Sequence, residues 1–141
     1  MCRVAVACLL SVLAAACASH DEVARSASPD RAVDAVVVEG NGGATTSFWY
    51  DVYITMPGAD YASGQFVASL YGAVRNANAY GVTLRWMSPT LLHVQYLSAK
   101  SAILKRSQVT LNGRLLTVAL SSGVQDATAP SGGMLYNKGR Q

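Results

Sequence analysis

The stretch that decides the fold is Gly40 to Thr55, which reads GNGGATTSFWYDVYIT. From Phe48 onward its side chains alternate between two faces. One face carries Phe48, Tyr50, Val52 and Ile54, and the other carries Trp49, Asp51, Tyr53 and Thr55. A period of two with aromatic and β-branched residues is typical of a β-strand. The stretch therefore predicts a strand whose first face points into a core.

A glycine-rich turn precedes this strand. The β-rich run Ala35 to Glu39 comes before the turn, and Asn41-Gly42 readily takes the positive φ angles of a hairpin. Gly40 to Gly43 allow either a two-residue turn or a looser one, so the register stays open. A phosphate-binding loop would need glycines that open a helix, whereas these open a strand.

Further strands are predicted over Val82 to Met87 and Leu91 to Leu97, separated by a turn at Ser88-Pro89-Thr90. The clearest hairpin is Val109 to Leu120. A two-residue turn at Asn112-Gly113 would pair Leu111 with Arg114 and Val109 with Leu116.

Phe66 to Tyr80 fits two patterns, a helical face and a strand followed by a loop. We favour the strand, because Gly72 would weaken a helix interior by up to about 1 kcal/mol. The fold class is then all-β: a single small antiparallel β-meander or sheet domain over residues 31–122, behind a signal peptide. The predicted core comprises Val36, Val38, Phe48, Tyr50, Val52, Ile54, Leu84, Trp86, Leu92, Val94, Tyr96, Val109, Leu111, Leu116 and Val118.

Residues 1–16 are predicted to be a signal peptide. After Arg3, an apolar run extends from Val4 to Ala16, too short for a membrane span of about 20 residues. The end of the run, LAAAC at 13–17, resembles the lipobox of bacterial lipoproteins. That resemblance implies lipidation of Cys17, removal of the preceding peptide, and a membrane anchor. The chain departs from the family at Ala14, where leucine is usual.

The cysteines agree with this interpretation. They are Cys2, Cys8 and Cys17, so the mature chain would retain one and could form no internal disulfide. The alternative is ordinary cleavage after Ala16 or Ala18, which would give a soluble periplasmic protein. By resemblance to bacterial sorting rules, Ala18 and Ser19 imply the outer membrane, facing the periplasm.

The segments that flank the domain have small and polar residues. Residues 17–30 are predicted to be the lipidated cysteine and a flexible tether, and residues 123–141 a flexible C-terminal tail. Within the tail, Met134-Leu135-Tyr136 offers an alternative, a short last strand docked on the domain.

A second resemblance covers much of Ser28 to Ile103. The segments SPD at 28–30, DAVVVE at 34–39 and NGGATTSF at 41–48 are similar to a group of small uncharacterised bacterial envelope proteins and lipoproteins. It implies an envelope location and names no activity.

Candidate catalytic groups are sparse. The mature chain has two histidines, His20 in the predicted tether and His93 on the mixed face of its strand. Asp51 between two aromatic residues is interpreted as a solvated sheet carboxylate. No His, Cys, Asp and Glu residues have metal-site spacing. We therefore predict no enzyme, no metal and no cofactor.

Two features favour a binding role. Trp49, Asp51 and Tyr53 lie on the face opposite the core set, unless a loop or the tail covers them. Charge is also uneven: residues 17–60 carry seven acids and two bases, a net charge of −5, and residues 61–141 carry eight bases and one acid, a net charge of +7. The predicted contact residues are Trp49, Asp51, Tyr53, Arg75, Arg85, Lys105 and Arg106.

These observations predict an envelope lipoprotein that acts as a non-catalytic binding or structural module at the membrane surface. Its expected partners are the membrane, through the Cys17 anchor, and an anionic envelope polymer or a protein. Export argues against nucleic acid. The alternatives are a periplasmic inhibitor or immunity-type protein that blocks one enzyme and, third, an enzyme of unknown type.

Overall fold

The protein is a small all-β domain whose main sheet is antiparallel and five-stranded. The structure is a computed structural model that describes residues 18–126. The strands are β1 (Ser19–Ala27), β2 (Asp34–Asn41), β3 (Trp49–Thr55), β4 (Gln65–Tyr71), β5 (Arg75–Asn76), β6 (Ala79–Tyr80), β7 (Thr83–Ser88), β8 (Leu91–Gln95), β9 (Ser101–Leu104), β10 (Gln108–Leu111) and β11 (Arg114–Ser121). A short 3-10 helix, Tyr61–Ser63, follows β3.

The front sheet has the strand order β1-β2-β3-β4-β9, with every neighbouring pair antiparallel. Its central strand β3 confirms the alternation read from the sequence, since Tyr50, Val52 and Ile54 are fully buried. The β2–β3 connection is the looser of the two predicted turns. Gly40 pairs with Trp49, and residues 42–48 form the loop.

The back sheet has the order β10-β11-β8-β7. The Asn112-Gly113 hairpin is confirmed in register, with Leu111 opposite Arg114 and Val109 opposite Leu116. Both turn residues have positive φ, 50° and 74°. One pairing departs from an antiparallel meander: β11 runs parallel to β8, because the chain visits the front sheet as β9 before it returns.

One core fills the space between the two sheets. Ten of the predicted core residues are buried: Val36, Val38, Tyr50, Val52, Ile54, Leu92, Val94, Val109, Leu116 and Val118. The other five are partly buried and pack against the core: Phe48, Leu84, Trp86, Tyr96 and Leu111. Val36 and Val38 are outside the main cluster, because the register of β2 turns Ala35 and Val37 inward instead.

The predicted tether is wrong, because Ser19–Ala27 is strand β1 and the domain therefore begins before residue 31. Strand β1 pairs with the whole of β2, and a bulge after Glu22 turns Val23 into the core, where it is fully buried. An edge strand with one deeply buried side chain has a mostly polar sequence, which is why its composition resembles a tether.

The ambiguous segment 66–80 is a strand and then a loop, as favoured. Strand β4 ends at Tyr71, Gly72 turns the chain with a φ of 64°, and the two-residue strands β5 and β6 form a small hairpin. The start of the predicted tail is bonded to the body, since the Asp126 amide donates to the Asn78 carbonyl at 2.9 Å. Cys17 and Met134-Leu135-Tyr136 lie outside the described residues.

Within residues 18–126, no helix has the length and apolar character needed to cross a membrane.

Candidate contact surface

The predicted surface lies on the outer face of the front sheet, the face turned away from the core. Strand register fixes which side chains share it, because directly paired residues project from the same face. Three rows cross the face: Gly40, Trp49 and Tyr71; Val38, Asp51 and Ser69; and Val36, Tyr53 and Phe66. Trp49, Asp51 and Tyr53 therefore lie in successive rows, each of them partly exposed.

Tyr53 is the centre of an aromatic cluster. Its ring centroid lies 5.3 Å from that of Tyr61 and 5.2 Å from that of Phe66. Such spacings lie within the range of favourable ring pairs. Partial burial raises the pKa of the Tyr53 phenol, and the negative charge of Asp51 adds to the increase. The phenol therefore stays neutral and can donate a hydrogen bond at physiological pH.

Asp51 separates this cluster from Trp49. Its Oδ1 accepts a hydrogen bond from the Ser69 hydroxyl at 2.6 Å, across the β3–β4 pair. The carboxylate thus fixes the two strands in register, and its second oxygen adds a polar acceptor between the aromatic residues. Ile103 follows Ser69 in the same row and is 47% exposed.

Trp49 covers the backbone of β2. A Cβ on Gly40 would lie 1.9 Å from the indole ring, so only glycine permits this packing. The indole also makes an edge contact with His20, at 5.5 Å between ring centroids. His20, which the sequence placed in the tether, is therefore part of the sheet surface.

Tyr71 lies opposite Trp49 and is 38% exposed. Its phenol oxygen accepts a hydrogen bond from the Ser47 amide at 3.0 Å, which lowers the pKa of this tyrosine. Lys100 donates to the Ser47 hydroxyl at 2.7 Å, and its ammonium lies 5.8 Å from the centroid of the Tyr71 ring.

The predicted basic residues do not form one patch. Lys105 and Arg106 are exposed and follow β9, at the edge of the front sheet, where Arg106 donates to Gln65 at 2.8 Å. Arg85 lies on β7 of the back sheet. Arg75 is turned inward: its guanidinium lies 3.9 Å from the Phe48 ring centroid and 3.4 Å from Glu39. We therefore define the contact surface as Trp49, Asp51, Tyr53, Lys105 and Arg106, without Arg75 and Arg85.

The aromatic partners Tyr61, Phe66 and Tyr71 could not be assigned to this face from the sequence. Alternation along β4 places Phe66 and Ser69 on opposite faces, but a bulge between Val52 and Tyr53 shifts the β3–β4 pairing by one residue. That shift brings Phe66 opposite Tyr53. A bulge of this kind has no signature in the local sequence here.

Two clefts lie elsewhere, both beside the start of β7, and the smaller one is also lined by Ala24, Arg25 and Ser26 of β1. The larger measures about 380 Å³ and the smaller about 220 Å³. Both are lined by Tyr80, Thr83, Leu84 and Asp126. Neither cleft contains His93 or Asp51, the two groups singled out as candidate acids or bases. The Nδ1 atom of His93 instead lies 2.9 Å from the hydroxyl oxygen of Ser121.

The described part of the chain contains no group of three His, Cys, Asp or Glu side chains that could hold a metal ion. Comparisons with family models, with curated proteins and with solved structures find no match to this chain.

Proposed function

We propose that this chain is a lipid-anchored protein of the bacterial envelope, in the outer membrane and facing the periplasm. It acts without catalysis, as a binding or structural module at the membrane surface. The observation that carries the proposal is the position of Cys17, which ends the apolar LAAAC run and stands two residues before the first strand of the domain.

The anchor follows from the chemistry of that position. Each buried methylene contributes about 0.8 kcal/mol, so one acyl chain binds a membrane only marginally and several hold it stably. A cysteine that carries a diacylglyceryl group and an acylated amino terminus has enough chains. A domain that starts at Ser19 is then held at the leaflet without a spacer.

The polar groups of the domain favour binding over catalysis, because the structure commits them to structural partners. Asp34 accepts from Arg25 and from the Gly58 amide, both at 2.9 Å. Asp51 accepts from Ser69 as described above, and Glu39 is paired with Arg75. Groups fixed in this way serve register and packing rather than proton transfer.

The contact surface fits an anionic envelope polymer. Its aromatic rings provide flat apolar area with polar edges, which is the usual character of binding surfaces. Lys105 and Arg106 add two exposed cations at the edge of the same sheet. Cations beside aromatic rings suit a polymer in which carboxylates alternate with sugar rings.

The anchor is tested by a pair of cysteine variants in the native host. Cys17→Ser should lose fatty-acid incorporation and move from the membrane to the soluble fraction. Cys8→Ser, a matched change within the same apolar run, should keep both properties. Membrane retention of Cys17→Ser without acylation would contradict the anchor. An unmodified soluble protein in the wild type would instead favour the periplasmic inhibitor, which should form a tight stoichiometric complex with one enzyme.

The binding role is tested by co-sedimentation of the acylated protein, in detergent, with purified peptidoglycan sacculi. Their peptide stems carry carboxylates. The double variant Lys105→Gln/Arg106→Gln should bind several-fold more weakly, since each exposed ion pair contributes about 0.2–1 kcal/mol. Arg85→Gln removes a cation from the back sheet and should bind as the wild type does. An equal loss in both variants would show that binding depends on net charge alone and not on this surface.

A further inference from the structure

The two ends of the front sheet carry different side chains. Strand β1 begins at one of them, which we call the anchor end. The register places one residue of each strand in a row there: His20, Gly40, Trp49, Tyr71 and Ser101. The opposite end is where β1 finishes, at Ala27, and where β3 finishes, at Thr55.

The connections at the anchor end are almost free of charge. They comprise residues 42–48, 72–82 and 96–100, and their only charged residues are Arg75 and Lys100. Arg75 is already paired with Glu39. The chain after β11 adds one acid, Asp126, which lines both clefts.

The opposite end carries charges of both signs, because its connections 28–33, 56–64 and 105–107 include Asp30, Arg31, Asp60, Lys105 and Arg106. An anionic leaflet attracts basic groups and repels acidic ones. Because the opposite end has three bases and two acids, charge alone does not select the end that meets the leaflet.

The distance from the anchor favours the anchor end. Cys17 precedes Ser19 by two residues, and an extended chain spans at most about 3.6 Å per residue. The first residue of β1 therefore lies within roughly 7 Å of the acylated cysteine, less than the roughly 10 Å that separates two packed sheets.

The side chains at the anchor end suit the membrane interface. Trp49 and Tyr71 are directly paired and partly exposed, and tryptophan and tyrosine concentrate where headgroups meet acyl chains. Lys100 lies beside Tyr71 with its ammonium toward the Ser47 hydroxyl. A lysine beside this aromatic pair can reach lipid phosphates.

We propose that the anchor end lies against the phospholipid headgroups of the leaflet, with Trp49 and Tyr71 in the interface. The strands of the front sheet then stand away from the membrane. Tyr53, four residues along β3 from Trp49, is about 13 Å farther out. The contact surface apart from Trp49 therefore faces sideways within the periplasm, while Trp49 contacts the leaflet. The proposal rests on the proposed acylation of Cys17 and deepens it by fixing the orientation of the domain.

The test uses the acylated protein in vesicles of phosphatidylethanolamine and phosphatidylglycerol, with a nitroxide-labelled lipid as quencher. The chain has two tryptophans, and Trp86 lies toward the opposite end, where its Nε1 donates to the Ser26 carbonyl at 3.1 Å. With Trp86→Phe, emission from Trp49 should fall about twofold, because interfacial tryptophan lies within range of the label. With Trp49→Phe, emission from Trp86 should stay unchanged.

A second measurement leaves the core untouched. Thr45→Cys labels the exposed 42–48 loop at the anchor end, and Ala62→Cys labels the exposed 3-10 helix at the other end. Spin labels at the two sites should differ, with the first shielded from a water-soluble relaxation agent and the second accessible to it.

The outcomes separate the two proposals. Mass analysis of the amino-terminal peptide comes first: an unmodified Cys17 overturns both the anchor and the orientation. If Cys17 is acylated but the two tryptophans are quenched alike, or the two spin labels are equally accessible, the orientation is wrong and the anchor stands.

Discussion

The hydroxyl of Tyr50 is buried in the core beside Glu39 and Arg75. Burial raises the pKa of this phenol, and the nearby carboxylate of Glu39 adds to the effect. Among the described residues, Tyr50 Oη has no hydrogen-bond partner in good geometry. The ring thus contributes apolar contacts, while the hydroxyl bears a desolvation cost that no hydrogen bond of good geometry offsets.

Tyr50→Phe should therefore be neutral or should stabilise the protein by up to about 1 kcal/mol, because it removes an unpaired buried polar group. Chemical denaturation of the two proteins measures the difference. The contrasting change is Ser69→Ala, which leaves Asp51 without its hydroxyl donor and should destabilise by about 1 kcal/mol. A loss of about 1 kcal/mol or more of unfolding free energy in Tyr50→Phe would contradict this prediction, because it would mean that the hydroxyl has a bonded partner.

Asp30 should make stability depend on pH. The Ser28 hydroxyl donates to its carboxylate at 2.8 Å, and this bond lowers the pKa of Asp30, helped by Arg114. A carboxyl with a lowered folded pKa contributes stability above its unfolded pKa, near 3.9, and loses that contribution as pH falls through the folded value. Asp30→Asn should therefore be less stable than wild type at pH 7, with the gap closing toward about pH 3. A pH-independent gap would contradict this role.

Individual strands were predictable where their signals are local. The Asn112-Gly113 turn determines its own hairpin, since both residues tolerate positive φ and the two-residue loop sets the register. Alternation in β3 likewise places Tyr50, Val52 and Ile54 inside. The parallel β11–β8 pair was not predictable, because strand direction depends on a partner 26 residues away, as in the pair Thr117 and Leu91.

Strand β1, near the other end of the chain, was also not predictable from local sequence signals. Only Val23 is deeply buried, so the segment has no apolar period, and its place in the sheet depends on pairing with β2. The candidate site likewise has a part that local sequence predicts and a part that depends on strand pairing. Trp49, Asp51 and Tyr53 could be assigned to one face from the sequence, whereas their partners on β4 depend on a bulge.

The sequence-based boundary at residue 31 can be tested against the structure with two shortened chains. A chain that starts at Ser19 should fold and unfold cooperatively, because it keeps β1. A chain that starts at Arg31 should not, since it exposes the edge of β2 and loses Val23 from the core, where burying one valine contributes about 1.5–3 kcal/mol. Total stabilities are about 5–15 kcal/mol, so losing a whole strand is decisive. Cooperative thermal unfolding of the shorter chain would show that β1 is dispensable.

On the scale of the whole molecule, the domain has one face and one end that differ from the rest. The outer face of the front sheet combines the aromatic cluster around Tyr53 with Lys105 and Arg106. The anchor end has nearly uncharged connections and the Trp49–Tyr71 pair. The alternating strand patterns and turns predicted an all-β domain, but they could not predict either feature, because each one gathers residues from strands that are distant in sequence.

The anchor is the central claim, and the mass of the mature amino-terminal peptide from a membrane fraction tests it most directly. The account predicts a peptide that begins at Cys17 and carries a diacylglyceryl group and an amide-linked acyl chain. A peptide that begins unmodified at Cys17 or Ser19 would contradict it, and the domain would then be a soluble periplasmic protein.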